Sequence, residues 1–325
     1  MAAESMRLAV VDMGTVTTRL LVADVGADGV REVVRRSQIT HLGDGWTASG
    51  RLAPDAVGRV ADTVARYAEE ARALGAAQVV ALATSAARDA DNADDLARAL
   101  SPLGVSFQVI SGDREAALTF AGAAYEMGGE GTLVVDVGGG STELVLGSGR
   151  AIDGTLRIEA ARSVDVGSKR VTEMFLASDP PSAHEMQAAL AYVADELRPF
   201  FAALPQRPRR MISVAGTATS LAAIDMALDP YDPERVHGYL LTGAAVADAR
   251  ERLASMTLQE RKQVVGLEPD RASVIVAGTL ILETALALSG LDSTLVSEHD
   301  ILYGAALDLY ASHRAHAAGI RDERG

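Results

Sequence analysis

The hydropathy pattern of this chain repeats once. An apolar run from Arg7 ends at Asp12, a small polar turn occupies Met13 to Thr18, and a second apolar run continues to Asp24. A third β-rich run spans Val30 to Thr40. Two apolar runs joined by a short Gly/Thr turn predict a β-hairpin with a polar tip. The same order returns from Thr132: an apolar run ending at Asp136, a turn at Gly138 to Thr142, a second run to Gly147 and a third from Thr155 to Val166. Strand, Asp-x-Gly, hydroxyl residue, strand and third strand recur in order. A repeat on this scale indicates two related lobes rather than a solenoid of short units.

Between the copies, Ala53 to Leu74 places apolar residues at helical spacing, and Gly75 suits the stop. Gln78 to Thr84 reads as a strand, Asn92 as the cap of a helix through Leu100, Val105 to Ile110 as a strand, and the residues after Ser111-Gly112 as a helix through Met127. Gly128-Gly-Glu-Gly131 is the natural hinge. In the second half, Ala183 to Leu204 reads as helix, and Met211 to Ala215 as a strand leading through Gly216-Thr217 into a helix from Ser220 to Leu228. Helices dominate from Thr242 to Ser289, Ser293 to Val296 is a last strand, Ile301 to His316 a last helix, and the residues after Gly319 a loose tail. Strands alternating with helices predict an α/β protein.

Composition removes several classes of function. The 325 residues suffice for two domains. With 44 Asp+Glu against 30 Lys+Arg the net charge is −14, which excludes the broad basic face of a general duplex-binding protein. An anionic ligand held locally by backbone N–H groups remains compatible. There are no cysteines, so disulfides, thiolate zinc sites and cysteine nucleophiles are excluded. No apolar run approaches a bilayer span, and Met1 to Arg7 has no signal-peptide core, so a soluble cytoplasmic protein is expected. The six histidines form no HExxH motif, and no Gly-x-x-x-x-Gly-Lys-Ser/Thr loop is present.

Candidate chemistry concentrates at the turns. A Gly/Ser/Thr turn between strands presents several N–H groups to one point and can cradle phosphate oxygens. Gly14, Thr15 and Thr17 form one such turn, Gly138, Gly139, Gly140 and Ser141 another, and Gly216-Thr217 a third at a helix start. Asp12 and Asp136 end the first strand of each copy, where a carboxylate beside phosphate calls for a hydrated Mg²⁺. Glu115 stands in the first turn of a helix, either as a capping carboxylate or as a general base that orients water. Glu143, just past the second glycine turn, is the other carboxylate able to handle water or metal. Arg88 either forks onto phosphate or pairs with Asp89 or Asp91. Lys169, Arg170, Arg261 and Arg271 admit the same phosphate reading, but each taken alone reads as a solvated charge.

Four ordered segments carry a family resemblance: Asp12-Met-Gly-Thr-Val-Thr-Thr-Arg19-Leu, Thr84-Ser-Ala-Ala-Arg-Asp-Ala-Asp-Asn92, Ile110-Ser-Gly-Asp-Arg-Glu115-Ala and Asp136-Val-Gly-Gly-Gly-Ser-Thr-Glu143. Together they closely resemble the exopolyphosphatase/guanosine pentaphosphate phosphohydrolase (Ppx/GppA) family of the actin-like, sugar-kinase-like superfamily. Later segments agree, among them Ser163-Val-Asp-Val-Gly167, Ala215-Gly-Thr-Ala-Thr219, Val236-His237-Gly238 and Val265-Gly-Leu-Glu-Pro-Asp-Arg271-Ala. The resemblance implies two ribonuclease-H-like lobes with an interdomain cleft, residues 1–128 and 129–304, with a last helix at 305–318 packing back on the first lobe.

It further implies Glu115 as the catalytic carboxylate assisted by Glu143, and Asp12 and Asp136 near Mg²⁺, with Mn²⁺ as an alternative. Gly14, Thr15, Thr17, Arg19, Arg88, Gly138, Gly139, Gly140, Ser141, Gly216 and Thr217 are the expected phosphate contacts. The implied substrate is inorganic polyphosphate, with pppGpp as the alternative and a homodimer as the family's assembly. A kinase or actin-like ATPase explains the glycine turns equally well but not the Ile-Ser-Gly segment that carries Glu115; a non-catalytic polyphosphate or nucleotide sensor is the remaining alternative. The chain resembles a short form without the extra C-terminal domains of long members. Three positions depart from the family pattern: Val16 stands where an amide side chain is usual, Leu302 where an arginine is usual, and His41 where an arginine or lysine is usual.

Overall fold

The computed structural model describes residues 5–317 apart from position 28; the tail expected after Gly319 lies outside the described residues. The chain divides into two units, one built from the residues up to Ser111 with the helix that begins at Ile301, the other from Gly112 to Asp300.

In the first unit β1 (Met6–Met13), β2 (Thr17–Gly26) and β3 (Gly29–Ile39) form an antiparallel meander. A single turn α1 (Trp46–Ser49) and the long helix α2 (Pro54–Ala73) lead to β4 (Gln78–Ala83), which pairs in parallel with β1. Helices α3 (Ser85–Asp89) and α4 (Ala93–Leu100) precede β5 (Ser106–Val109), parallel to β4, and the sheet order is β3-β2-β1-β4-β5. Helix α2 buries Val57, Val60, Val64, Tyr67, Ala68 and Ala71, the i, i+3, i+4, i+7 face read from the sequence, against Val11, Met13, Leu20 and Val22. Gly75 follows with φ 82°, the left-handed conformation its position demands.

Asn92 occupies the N-cap position of α4, but its side chain does not bond the helix end. Its Oδ1 accepts the Leu52 N–H at 2.8 Å, and its Nδ2 donates to the Leu52 carbonyl at 3.1 Å and to Asp95 Oδ2 at 2.7 Å. The bond to Asn92 is the largest of the influences that hold the Asp95 carboxyl below its usual range. Asn92→Ala leaves the buried Leu52 peptide without its partners, and a loss of about 1–3 kcal/mol is expected in urea melts.

The second unit opens with α5 (Gly112–Met127), followed by β6 (Thr132–Val137), β7 (Thr142–Ser148) and β8 (Arg157–Val164) as an antiparallel meander. Next come α6 (Ser168–Phe175), α7 (Ala183–Ala202) and β9 (Arg210–Val214), parallel to β6. Then α8 (Ala215–Asp225), α9 (Pro233–Val236), β10 (Leu240–Thr242), α10 (Gly243–Ala254), α11 (Leu258–Arg261), α12 (Ile275–Ser289) and β11 (Ser293–Val296) complete it. The sheet order is β10-β11-β9-β6-β7-β8. Without the added edge strand β10 it repeats the connectivity of the first unit, as the duplicated pattern implied and as the family resemblance, with its two ribonuclease-H-like lobes, led one to expect. Helix α13 (Ile301–Ala317) then returns to β1, β2 and β3, and the central strand β1 is buried from Leu8 to Met13 without alternation, as a strand covered on both faces is.

The boundary differs from the expected one. The helix carrying Glu115 belongs to the second unit: Ala116, Phe120, Ala123 and Ala124 pack on Val134, Val145, Ile212 and Val214. Gly147 makes room for this, since a Cβ there would lie 2.5 Å from Phe120 Cζ. The division therefore falls after Ser111 rather than at Gly128, and the return begins at Ile301 rather than 305. Gly128 is no open hinge, because a Cβ on it would meet the Gly149 carbonyl oxygen at 2.2 Å. Helix α6 and strand β10 had no counterpart in the sequence reading, and α8 begins at Ala215 rather than Ser220. Among the described residues no helix is long and apolar enough to cross a membrane.

Candidate active site

The two hairpin tips are built by the same rule. In the first, the Gly14 N–H donates to the Thr17 carbonyl at 2.9 Å; in the second, the Gly138 N–H donates to the Ser141 carbonyl at 3.0 Å. The Thr15 carbonyl accepts from Gly43 N–H, and that of Val16 from Thr40 and His41 N–H. Correspondingly, the Gly138 carbonyl accepts from Ser168 N–H and that of Gly139 from Lys169 and Arg170 N–H. The carbonyl edge of each turn is thus satisfied by a following segment. The amides of Thr15, Val16, Gly139 and Gly140 have no acceptor among the described residues. Such an edge of N–H groups is an anion nest. Val16 keeps its main-chain amide in this edge, and its side chain is buried; Leu302 is likewise a core residue.

The tips differ where chemistry is decided. Asp12 and Arg19 are register partners on β1 and β2, and Asp136 and Glu143 hold the same relation on β6 and β7. In the first unit Arg19 donates to Asp12 Oδ2 from Nε at 3.0 Å and from Nη2 at 2.5 Å. This ion pair braces the hairpin and sets the cation expected at phosphate against the carboxylate expected near a metal ion. In the second unit the arginine position holds Glu143, so two buried carboxylates stand side by side.

Glu143 Oε1 accepts from Ser141 Oγ at 2.9 Å and from Ser163 Oγ at 2.7 Å. Glu115, in the first turn of α5, is also buried. Burial first, then the charges of Glu115 and Asp136, push the Glu143 carboxyl well above the ordinary carboxylate range, against the pull of the two serine hydroxyls. The folded state therefore binds this proton more tightly than the unfolded chain, and the associated stability is lost as pH rises from the unfolded value through the folded one. Carboxylates held low, such as Glu185 at about 2, act in the opposite sense and contribute fully once pH exceeds the unfolded range. In a chelating buffer the melting temperature is accordingly expected to decline as pH rises above about 5, and Glu143→Gln should flatten that decline in a fluorimetric melting series.

The third turn starts where β9 ends beside β6, with Val214 in register with Asp136. Arg271 lies directly over it: a Cβ on Gly216 would fall 1.6 Å from Arg271 Nη1. Arg271, read as a solvated charge, thus sets a cation over Gly216 and Thr217 while its Nε donates to Glu268 at 3.0 Å. Arg170 also leaves the solvated class, its Nε donating to the Gly140 carbonyl at 2.9 Å. Arg261 is buried, bonded to Asp179 at 3.2 Å. Arg88 begins from the strand beside β1 and lies 3.6 Å from Asp89, with Nη1 donating to the Ile110 carbonyl at 3.4 Å.

Sequence reasoning did not assign Ser163 or Gly167 to the site, and it weighed Arg170 and Arg271 as phosphate contacts but favoured solvated charges. The Ser163-Val-Asp-Val-Gly167 segment, with Arg170 three residues beyond it, was the available signal for Ser163 and Gly167. It also missed a cluster of Glu126, His237 and His299, far apart in the chain, whose ligand atoms lie within 4.8 Å of one another. His237 Nδ1 accepts the Glu298 N–H at 3.2 Å, so the ring proton sits on Nε2, which faces Glu126 Oε1 at 3.0 Å. In that tautomer Nε2 has no lone pair to give a metal ion. The cluster reads as a hydrogen-bonded link between α5 and the residues around β11.

A phosphate-binding α/β protein with an acidic centre is the class these features define. The chain belongs to the Ppx/GppA phosphatase family, whose profile it matches over residues 21–308. It is 39% identical to exopolyphosphatase 2 of Mycobacterium tuberculosis over 321 residues, 93% of this chain and 98% of that one. An exopolyphosphatase structure from Cytophaga hutchinsonii superposes with a TM-score of 0.83 at 27% identity, covering 97% of this chain and 99% of that one. A Ppx/GppA family member from Aquifex aeolicus gives a TM-score of 0.80 at 27% identity, covering 95% and 99%.

Proposed function

We propose that this protein is an exopolyphosphatase that removes terminal phosphates from inorganic polyphosphate as orthophosphate, in the cytoplasm. The observation that carries the reading is the placing of the Gly138–Ser141 nest in one unit with Asp136, Glu143 and Glu115. The name of the Mycobacterium tuberculosis relative supports the substrate class. The N–H groups of Gly139 and Gly140 receive oxygens of the terminal phosphate, and Arg170 braces the loop from its carbonyl side. Gly216, Thr217 and Arg271 offer further donors at the neighbouring strand end, and the first unit's Gly14–Thr17 turn and Arg88 carry the same anion-binding chemistry. Glu115 orients a water molecule toward phosphorus and takes its proton as the P–O bond to the shortened chain breaks.

A buried carboxylate crowded by two others, whose Oε2 accepts no hydrogen bond from the described residues, fits a hard, oxygen-seeking divalent cation such as Mg²⁺ or Mn²⁺. Asp136 and Glu143 would hold it, and when bound it supplies charge neutralisation for the transferring phosphoryl group.

Orthophosphate release from long polyphosphate, tripolyphosphate and pppGpp, each with Mg²⁺ and with Mn²⁺, tests the reading. Release from the inorganic polyphosphates is expected. Release from pppGpp alone, or from none of the three, overturns it.

A further inference from the structure

Glu143 is gripped in an asymmetric way. Two hydroxyls from different elements, Ser141 Oγ at 2.9 Å and Ser163 Oγ at 2.7 Å, both donate to the same oxygen, Oε1. Oε2 accepts nothing from the described residues. A glutamate carboxylate rotates through a broad, two-fold terminal torsion, so one donor leaves its plane loosely defined. Two donors from different elements converging on one oxygen restrict that torsion and fix which oxygen is presented. Ser141 belongs to the nest itself. Ser163 does not: it lies on β8 as the register partner of Glu143, and its side chain bonds only that carboxylate among the described residues.

We infer that Ser163 is a positioning residue for the hydrolysis proposed above, pinning Glu143 Oε1 so that Oε2 is the oxygen delivered to the divalent cation. The inference rests on that functional reading but is tested apart from it. A merely structural serine would satisfy a buried acceptor and nothing more; its loss would lower stability and leave cation affinity and turnover as they were. A positioning serine acts through the carboxylate, so its loss must appear in cation binding and in kcat.

The experiment uses the full chain and its Ser163→Ala and Ser163→Thr variants. Mn²⁺ binding is measured by calorimetry, melting is followed in chelator, and orthophosphate release from polyphosphate is assayed at saturating Mn²⁺. Loss of a hydrogen bond to a charged group should weaken Mn²⁺ binding about tenfold in Ser163→Ala. The value of kcat should fall by a comparable factor while KM for polyphosphate stays within about twofold. Ser163→Thr, which keeps the hydroxyl, should restore both. Unchanged Mn²⁺ affinity in Ser163→Ala, a loss that Ser163→Thr fails to restore, or absence of Mn²⁺ binding by the parent protein each overturns the inference. A parent protein that binds Mn²⁺ but leaves polyphosphate intact overturns the hydrolase reading instead, and the binding comparison still decides the role of Ser163.

Discussion

Glu115→Gln is expected to lower orthophosphate release from polyphosphate by about 10²–10⁴-fold, the range over which a positioned general base acts. The substitution keeps shape and hydrogen-bonding capacity but removes the basic oxygen. It also removes one of the two charges that crowd Glu143. A buried carboxylate next to others costs folding energy, so the variant should melt no lower than the parent in chelating buffer. Loss of turnover without loss of stability separates a catalytic carboxylate from a helix-capping one: a capping glutamate in the first turn of α5 would cost stability when neutralised. Steady-state kinetics beside equilibrium binding of polyphosphate measures both halves. Wild-type kcat in this variant would remove Glu115 from the mechanism.

Gly167→Ala should be the most damaging single methyl group near the nest. Gly167 has φ −128°, so nothing in its backbone conformation calls for glycine. Space does: a Cβ there would lie 2.4 Å from the Gly139 carbonyl carbon and oxygen and 2.5 Å from that of Gly140. These are backbone atoms and cannot swing aside. The turn and the start of α6 must separate, loosening the bonds from Ser168 and Lys169 N–H at 2.8 and 2.9 Å and from Arg170 Nε at 2.9 Å. Overpacking of this kind costs about 1–3 kcal/mol, to be read from urea melts. Because the displaced loop carries the amides proposed to receive the terminal phosphate, KM for polyphosphate should rise by about tenfold or more, the equivalent of one lost hydrogen bond to a charged group. An unchanged KM would show that the nest does not hold substrate.

Much of the architecture was readable from local periodicity. The i, i+3, i+4, i+7 face of α2, the strand at Ser293–Val296 and the duplicated hairpins lie where the pattern put them. What failed was allegiance. The apolar face of α5 declares that it must be covered but not by which sheet, and Phe120 reaches its place only because Gly147 leaves a gap on β7. Edge elements such as β10, three residues long, carry too few positions to show a period. In the site, turn composition identified the nests. The partners of the charges were not legible, because Asp12–Arg19 and Asp136–Glu143 look alike in hydropathy and differ only across a strand pair.

The amino-acid order by itself determined the duplication, the glycine corners, the strand-end aspartates and the two glutamates, since each is a local pattern whose physics is complete within a few residues. Tertiary structure alone decided that Arg19 neutralises Asp12, that Ser163 and Ser141 share one oxygen of Glu143, that Arg271 rests on Gly216, and that Glu115 folds with the second sheet. Those outcomes depend on distances between residues remote in the chain, and burial, which sets the strength of every charge and hydrogen bond among them, exists only once the chain has closed.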